Sequence, residues 1–382
     1  MEKNIKTVLL TGSTGQVVSE LAMVLQKEGY RILYLIRPSK DGKNAQERLA
    51  GILPTIREGM DIAIDGDVTL PNGGLSFGNI SLWRGKIDKI VHGAAAISFE
   101  EKDADEVWHI NVGGTKNMLE LADVLNVTDF HYISTAYISG SAEVFNENDL
   151  DIGQKSFNTY ESSKIEAEKL VHAWQGGNFT IHRLPTVLGS SVDGNVLTFH
   201  SYYGFLMPFW RMLQSWHRRW LADKQKCTNE GVTFDEKGVM NIPLFIDCSP
   251  TSVLNMVTVD WVAKTMAELL KIPSCGQTYH LVHPNPPKVM DAMISSLAHL
   301  GISGVRYELA GGVELKPLLA KIQTGINENT KIYQQYIKHG TIFTFDNLVR
   351  TLGDKYILHP DVDETMLCLM LDYAMSVNFG KK

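Results

Sequence analysis

The chain has few of the features that mark membrane, disulfide-rich or nucleic-acid-binding proteins. Its 382 residues include four cysteines with no CxxC pair: Cys227, Cys248, Cys275 and Cys368. No apolar run reaches the roughly 18 to 20 residues of a membrane span, and the N-terminus lacks the apolar region of a signal peptide. The formal net charge of -7 provides no basic surface for nucleic acid or an anionic membrane. These absences predict a cytoplasmic protein with reduced thiols, no metal site, no transmembrane segment and no nucleic-acid partner.

Short apolar runs alternate with longer helical patterns through residue 190. The predicted strands cover residues 7–10, 31–36, 61–64, 89–92, 130–134, 179–184 and 278–283. The predicted helices cover residues 17–28, 44–57, 104–125, 160–174, 255–270 (which begins with a strand end) and 364–375. Apolar strands that alternate with helices are typical of an α/β fold with a doubly wound parallel sheet.

The length and the change of pattern after residue 195 predict two lobes. Hydrophobic residues make up 44% of the chain and charged residues 21%, which is a globular composition. A chain of 382 residues is too long for one ordinary core. We expect a first domain over 1–195 together with about 255–272. A smaller mixed α/β C-terminal lobe over 196–254 and 273–382 would bind the substrate.

The stretch "TVLLTGSTGQVVSEL" places glycines between the first strand and the first helix. Glycines at this turn let the backbone approach a pyrophosphate, which the N–H groups and dipole of the helix then bind. Val18 stands where such a loop usually has its third glycine, which admits close packing of the helix on the strand. The prediction is a dinucleotide site with a displaced helix, and the alternative is an ordinary turn.

The second predicted strand ends at Arg37 rather than at an acidic residue. An Asp or Glu at this point typically binds the ribose of NADH. The planar fork of an arginine instead binds phosphate oxygens in pairs. Arg37 therefore favours NADPH over NADH, unless it is only a solvated side chain.

Tyr160 and Lys164 lie four residues apart in "YESSK" and share one face of a helix. A nearby ammonium lowers the pKa of a phenol towards the range of acid–base catalysis. Ser134 and Thr135 end the preceding strand, where a hydroxyl would hold a carbonyl oxygen beside Tyr160. Asn111 opens the helix before it. Each feature alone has a structural explanation, but their order at the ends of parallel strands indicates a catalytic site.

These motifs resemble the extended short-chain dehydrogenase/reductase superfamily. The matching pieces in the first half of the chain are the Thr11–Gly15 loop, "GDVT", "HGAAA", "NVGGT", "STA", "YESSK" and "RLPTVLG". The chain looks most like the male-sterility, thioester-reductase and fatty acyl-CoA reductase branch. Thr135 in "ISTAYISG", "HGAAAISF" with Phe99, and "YQQYIKHGTIFTFDNL" near the C-terminus carry that likeness.

The resemblance implies a Rossmann-type fold, an NAD(P)-dependent oxidoreductase, and roles for particular residues. The catalytic residues would be Thr135, Tyr160 and Lys164. The cofactor-binding residues would be Gly12, Thr14, Gly15, Gln16, Val17, Arg37, Asp67, Val68, Ala94, Ala95, Asn111, Tyr160, Lys164, Pro185 and Val187. The family also often forms homodimers through helices that here would be 104–125 and 160–174.

The expected reaction is hydride transfer from NADPH to the carbonyl of a small-molecule substrate, an acyl thioester of coenzyme A or of a carrier protein. An aromatic segment, 199–220, would form the substrate wall through Tyr202, Phe205, Phe209 and Trp210. Nearby arginines would meet phosphates. The alternatives are that these aromatics form the core of the lobe, that the enzyme reduces a ketone of a secondary metabolite or sterol, or that it is a nucleotide-sugar epimerase. A non-catalytic dinucleotide sensor is a further alternative.

Overall fold

The strands are short and mostly buried, and they begin close to the residues that the sequence predicts. In this computed structural model, residues 5–307 and 315–380 are described; residues 1–4 of the predicted first domain and 308–314 and 381–382 of the predicted second lobe lie outside them. The strands, numbered in chain order, are β1 (Thr7–Thr11), β2 (Arg31–Ile36), β3 (Asp61–Asp65), β4 (Lys89–His92), β5 (Asp129–Thr135), β6 (Val144–Phe145), β7 (Asn178–Leu184), β8 (Thr186–Leu188), β9 (Thr233–Phe234), β10 (Met240–Asn241), β11 (Phe245–Ile246), β12 (Met256–Thr258), β13 (Gln277–His280), β14 (Ile302–Ser303), β15 (Arg306–Tyr307) and β16 (Ile342–Phe343).

The helices include each one that the sequence predicts, with two changes of length. They are α1 (Gln16–Lys27), α2 (Ala45–Ala50), α3 (Phe77–Trp83), α4 (Ala104–Trp108), α5 (Gly114–Leu125), α6 (Thr159–Ala173), α7 (Ser201–Ala222), α8 (Lys224–Glu230), α9 (Val259–Leu270), α10 (Val289–His299), α11 (Pro317–Thr330), α12 (Gln334–Lys338), α13 (Asp346–Leu352) and α14 (Glu364–Ser376). The helix expected over 44–57 ends early, because Gly51 and Pro54 follow α2. The helix expected over 104–125 is divided by a π-helical turn, His109–Gly113. Within the part of the chain that the structure describes, no helix has both the length and the apolar character needed to span a membrane.

Seven of the strands form one parallel sheet in the order β13-β7-β5-β4-β1-β2-β3. The predicted doubly wound α/β fold is confirmed. The chain leaves β1 towards β2 and β3 on one side and returns to β4 and β5 on the other. The strand order therefore reverses between β1 and β4, which is where such sheets bind ligands at their carboxyl ends.

The chain divides into two compact units whose boundaries differ from the predicted ones. Unit 1 comprises residues 1–185, 259–282 and 342–358; unit 2 comprises residues 186–258, 283–341 and 359–382. The segment 342–358 joins unit 1 because β16 pairs with β6 and α13 packs on β13. These contacts join residues that are far apart in sequence, so local patterns did not reveal them.

Hydrogen bonds of buried polar groups connect the 342–358 segment to the rest of unit 1. The Glu147 carboxylate accepts backbone hydrogen bonds from His280 (3.1 Å), Asn347 (2.6 Å) and Leu348 (3.3 Å). Burial raises the pKa of Glu147 to about 7, although these three N–H groups oppose the shift. Arg183, which is 1% exposed, donates to the Glu147 carbonyl at 3.3 Å and forms a 2.7 Å ion pair with Glu168.

Unit 2 has a core of its own in which the aromatic segment is central. Helix α7 buries one face, on which Tyr202, Phe205 and Phe209 are 3%, 4% and 1% exposed. The Tyr202 hydroxyl bonds to Ser296 Oγ at 2.7 Å, so its polar end is satisfied as well. This corrects the predicted substrate wall for these three residues, because side chains that are already packed have no surface left for a ligand. Trp210 is partly buried against the same core.

Candidate active site

The glycine-rich loop lies at the point where the strand order reverses. Gly12 has a φ of +80°, and a Cβ placed on it would lie 2.5 Å from the Gly93 carbonyl carbon, which follows β4. Any larger residue would therefore be strained and would also clash with backbone. Helix α1 begins directly after Gly15, which is its N-cap and makes no capping hydrogen bond through a side chain. The loop thus presents a helix N-terminus without a side-chain cap, as an anion site requires.

Val18 packs closely against β4 because a glycine there makes room for it. Val18 is 3% exposed, and a Cβ placed on Gly93 would lie 2.6 Å from Val18 Cγ2 and 2.9 Å from Ile133 Cδ1. Helix α1 lacks a glycine at position 18, and Gly93 at the end of the facing strand β4 provides the space instead. Helix α1 meets the sheet in van der Waals contact, and no displacement of the helix is needed to admit the isopropyl group.

Two buried hydroxyls at the ends of β1 and β5 have no hydrogen-bond partner among the described residues. Ser13 Oγ and Ser134 Oγ are both within buried side chains, with 1% and 4% exposure. A buried hydroxyl without a partner costs free energy, so such groups usually meet a ligand or water. Together with the Gly12–Gly93 approach and the uncapped helix, these hydroxyls fit a dinucleotide at this edge of the sheet.

Two arginines lie at the end of β2. Arg37 is 58% exposed in its side chain and lies 4.0 Å from Asp67, which follows β3. Arg48 on α2 donates a hydrogen bond to the Arg37 carbonyl oxygen. An exposed ion pair at 4.0 Å contributes about 0 to 1 kcal/mol. Arg37 can therefore exchange Asp67 for a phosphate at little cost.

The hydroxyls of Thr135 and Tyr160 meet at the carboxyl end of β5. Thr135 Oγ1 donates to the Leu184 carbonyl (3.1 Å) and accepts from the Tyr137 N–H (3.2 Å), and it lies near enough to the Tyr160 phenol to act on the pKa of that group. The Thr135 hydroxyl is therefore held by two backbone groups beside the phenol of the predicted acid. The Phe99 ring lies 5.8 Å from the Tyr160 ring, centroid to centroid.

Lys164 is held by β5 rather than by Tyr160. Its Nζ lies 2.6 Å from Tyr132 Oη and 2.8 Å from the Ile133 carbonyl oxygen. Burial lowers the pKa of Lys164 to about 7, opposed by Glu168. The pKa of Tyr160 is raised by burial and by Glu161, and only Thr135 lowers it. The Lys164 ammonium is bonded to oxygens of β5, and the lowering of the Tyr160 pKa by Lys164 with a nicotinamide above it stays a prediction.

Asn111 joins two segments around the site. Its Oδ1 accepts from Ala96 N–H at 2.8 Å, and its Nδ2 donates to the Ala96 carbonyl (3.1 Å) and to Ser163 Oγ (2.9 Å). Both amide hydrogens are thus used within the protein, and the predicted contact of Asn111 with the cofactor has no N–H left. The residue lies in the π-helical turn, a feature that often marks functional sites.

The other predicted cofactor residues lie in loops or in the first turn of α1, except Val187, which lies in a strand. Thr14, Gln16 and Val17 are partly buried at the start of α1, and Ala94 and Ala95 follow β4. Val68 is buried against Gly114. Pro185 is the last residue of the first stretch of unit 1, whereas Val187 belongs to β8 in unit 2.

A buried polar row on the sheet beneath the site had no role in the sequence-based predictions. The row comprises Thr11, His92 and Tyr132, which are register neighbours on β1, β4 and β5, with Thr115 on α5 against it. A tyrosine in the middle of a strand that is buried on both faces needs a partner for its hydroxyl. The sequence could therefore have indicated a buried polar row here, because Tyr132 needs a hydrogen-bond partner.

The chain matches one protein family and several known proteins. A model of the male sterility protein family matches residues 10–266. A linear gramicidin synthase from Brevibacillus parabrevis is 25% identical over 96% of this chain, which is 7% of that protein. Fatty acyl-CoA reductase 1 of Mus musculus is 32% identical over 35% of this chain and 28% of that protein. The chain thus spans well under two thirds of the length of these relatives.

Solved structures show the same fold over nearly the whole chain. The terminal R domain from the myxalamid PKS-NRPS biosynthetic pathway superposes with a TM-score of 0.76 at 21% identity, covering 99% of this chain and 93% of that one. A thiolation-reductase di-domain from an archaeal non-ribosomal peptide synthetase gives a TM-score of 0.71 at 20% identity, covering 99% and 76%. The predicted NAD(P)-dependent oxidoreductase of the extended short-chain dehydrogenase/reductase type is confirmed. Within that superfamily, the chain belongs to the male sterility protein family.

Proposed function

We propose that the protein reduces the carbonyl carbon of an acyl thioester with NADPH. The observation that carries this proposal is that the Thr135 hydroxyl, held by backbone groups at the carboxyl end of β5, lies beside the Tyr160 phenol. Two hydroxyls that meet at a strand end, beside a glycine-rich loop, are arranged to bind and protonate a single carbonyl oxygen.

When bound, the dihydronicotinamide supplies a hydride to the carbonyl carbon, and negative charge develops on the oxygen. Tyr160 donates its phenol proton to that oxygen. Thr135 turns its hydroxyl from the Leu184 carbonyl towards the same oxygen and donates a second hydrogen bond. The Lys164 ammonium, one helical turn from Tyr160, stabilises the phenolate that remains.

Reduction of a thioester in this way gives a hemithioacetal, which releases the thiol and leaves an aldehyde. The relatives support the thioester as substrate, because they include a fatty acyl-CoA reductase and a reductase domain joined to a thiolation domain. The acyl group would therefore be carried on coenzyme A or on a carrier protein. A second hydride transfer at the same site would give an alcohol.

The two arginines at the end of β2 support NADPH as the cofactor. A 2′-phosphate carries up to two negative charges, and the exposed Arg37 would bind it in pairs of hydrogen bonds, with the charge of Arg48 nearby. An adenosine ribose with a free 2′-hydroxyl would use neither charge.

The decisive experiment follows NADPH oxidation against a panel of acyl-CoA thioesters, carrier-bound thioesters, aldehydes and cyclic ketones. We expect turnover with at least one thioester and with its aldehyde. Turnover with ketones alone would refute the thioester proposal, and turnover with NADH in preference to NADPH would refute the assignment of Arg37.

The matching variant is Tyr160→Phe, which keeps the ring and removes the proton donor. Turnover should fall about 100-fold or more, whereas the fluorescence change of NADPH on binding should persist. Tyr34→Phe is the matched control, because Tyr34 is a fully buried tyrosine on β2 of the same sheet. Parent-level turnover in Tyr160→Phe would exclude Tyr160 as the acid.

A further inference from the structure

The Lys164 side chain is enclosed by a buried polar row that the proposed reaction does not yet use. Thr11, His92 and Tyr132 follow one another across β1, β4 and β5, and they are 0%, 0% and 1% exposed. The Lys164 Nζ lies 2.6 Å from Tyr132 Oη and 4.1 Å from the centre of the Tyr132 ring. An ammonium in this place is thus bound by the oxygen and by the face of the same phenol.

The hydrogen bonds of the row can be assigned donor by donor. Thr115 Oγ1 donates to the Asn111 carbonyl at 2.6 Å, so its one proton is used there. It is therefore left as an acceptor, for His92 Nε2–H at 3.3 Å and for the hydroxyl of Tyr132, which is near enough for Thr115 to act on its pKa. The phenol proton of Tyr132 consequently points to Thr115, and the phenol oxygen presents a lone pair to Lys164.

Thr11, at the other end of the row, fixes His92 in the tautomer that this assignment requires. Thr11 Oγ1 accepts from the Ala94 N–H at 3.2 Å and donates to His92 Nδ1 at 2.7 Å. Burial, with Lys164 as the second cause, lowers the pKa of His92 to about 3. The imidazole is therefore neutral at physiological pH and carries its proton on Nε2, facing Thr115.

We propose that Tyr132 is a positioning residue that holds the Lys164 ammonium through its hydroxyl oxygen, while Thr115, His92 and Thr11 direct the phenol proton away from the lysine. This inference rests on the proposed function, in which Lys164 acts as a cation. Tyr132 and the Ile133 carbonyl take two of its three N–H donors. The third is left for the reaction site.

The charged groups around Lys164 act on it from several elements. Glu168 lies one helical turn along α6 and raises the lysine pKa, but it also forms an ion pair with the buried Arg183 of β7. Tyr160 is on the same helix, and the neutral His92 faces the lysine from β4. Burial destabilises the ammonium form of Lys164, and each oxygen that accepts a hydrogen bond from Nζ stabilises it.

The test compares Tyr132→Phe with Tyr34→Phe. Protein labelled with ¹³C at lysine Cε reports the titration of Lys164 directly, with Lys164→Met used only to assign the resonance. In the parent we expect a midpoint at about pH 7. Tyr132→Phe should lower it by about one pH unit or more, which is the effect of losing one hydrogen bond to a charged group. Tyr34→Phe should leave it unchanged.

The same variants are then compared by the pH profile of kcat/KM for NADPH oxidation. Activity should fall with rising pH as Lys164 loses its proton, and this limb should move to lower pH in Tyr132→Phe by the shift seen in the titration. Thr115→Val is a second variant should Tyr132→Phe fail to fold. It removes the acceptor of the phenol proton and should also lower the midpoint, whereas Thr115→Ser should preserve it.

Unchanged Lys164 midpoints in Tyr132→Phe and Thr115→Val would overturn the inference. The proposed function fails separately, if the parent oxidises NADPH with no thioester while the titration still shows the expected shift. Tyr132→Phe could lower the Lys164 midpoint without moving the pH limb of kcat/KM. That result would show that Tyr132 holds the charge of Lys164, and it would overturn the link between this charge and the reaction.

Discussion

Gly93→Ala places a new methyl group in the contact between α1 and β4 and tests how the chain accommodates Val18. The new Cβ would lie 2.6 Å from Val18 Cγ2 and 2.9 Å from Ile133 Cδ1. Both distances are well inside van der Waals contact. The isoleucine methyl ends a flexible side chain and can turn away, whereas valine is stiff at χ1 and cannot. We therefore expect Gly93→Ala to lower the free energy of unfolding by about 1 to 3 kcal/mol, as overpacking of a core does.

The double mutant distinguishes this contact from a general effect at β4. Val18→Ala alone should cost about 2 kcal/mol through lost burial and the cavity it leaves. In Val18→Ala/Gly93→Ala the methyl group fills space that Val18 Cγ2 has vacated, so the two costs should cancel in part. We expect the double mutant to be about 1 to 2 kcal/mol more stable than the sum of the single mutants predicts.

Urea unfolding of the four proteins supplies the measurement, with Gly78→Ala as control. Gly78 lies on α3 in the same unit, and a Cβ placed there has its nearest neighbour at 3.8 Å. The control should be neutral or slightly stabilising, because alanine favours a helix over glycine. Additivity of the Val18 and Gly93 effects within about 0.5 kcal/mol would refute the explanation of Val18.

Four further predictions concern charge and buried polar groups. Arg37→Ala should weaken NADPH binding about tenfold or more, with little change for NADH, in a fluorescence titration; equal losses would remove the 2′-phosphate contact. Ser134→Ala should leave the melting temperature unchanged or higher, because the removed hydroxyl has no partner, while kcat/KM falls; a drop in stability would show that the hydroxyl is already satisfied. Arg183→Met should cost about 3 to 5 kcal/mol by leaving Glu168 buried and unpaired, measured by urea unfolding. The Glu147 pKa is raised from 4.5 to about 7, so its contribution to stability is full below pH 4.5 and is lost as the pH rises to 7. Relative to Glu147→Gln, the parent should therefore become less stable over this range, and parallel pH dependences would contradict the assignment.

Much of unit 1 could be predicted from the sequence because its elements are local. Residues 7–10 and 61–64 read as strands from four apolar or alternating residues, and the structure extends each by one residue. The aromatic segment in 199–220 was harder to interpret. Its spacing suits both a ligand wall and a helix core, and only the packing of α7 shows that Tyr202, Phe205 and Phe209 are core.

The candidate site was predicted in its parts but not in its hydrogen bonds. The sequence order of Thr135, Tyr160 and Lys164 was sufficient to place all three near one strand end. It could not reveal that Tyr132 holds the lysine, because that contact depends on which face of β5 the phenol takes and on the helix that covers it.

The sequence by itself determined the alternation of strands and helices, the position of the glycine loop and the order of the residues proposed to be catalytic. Each of these depends on side-chain periodicity or on a motif of a few neighbouring residues. Tertiary structure alone decided that Gly93 makes room for Val18, that Thr11, His92 and Tyr132 form one row, and that the segment 342–358 completes unit 1. These features join residues from distant parts of the chain, and strand register and close packing determine which of them meet.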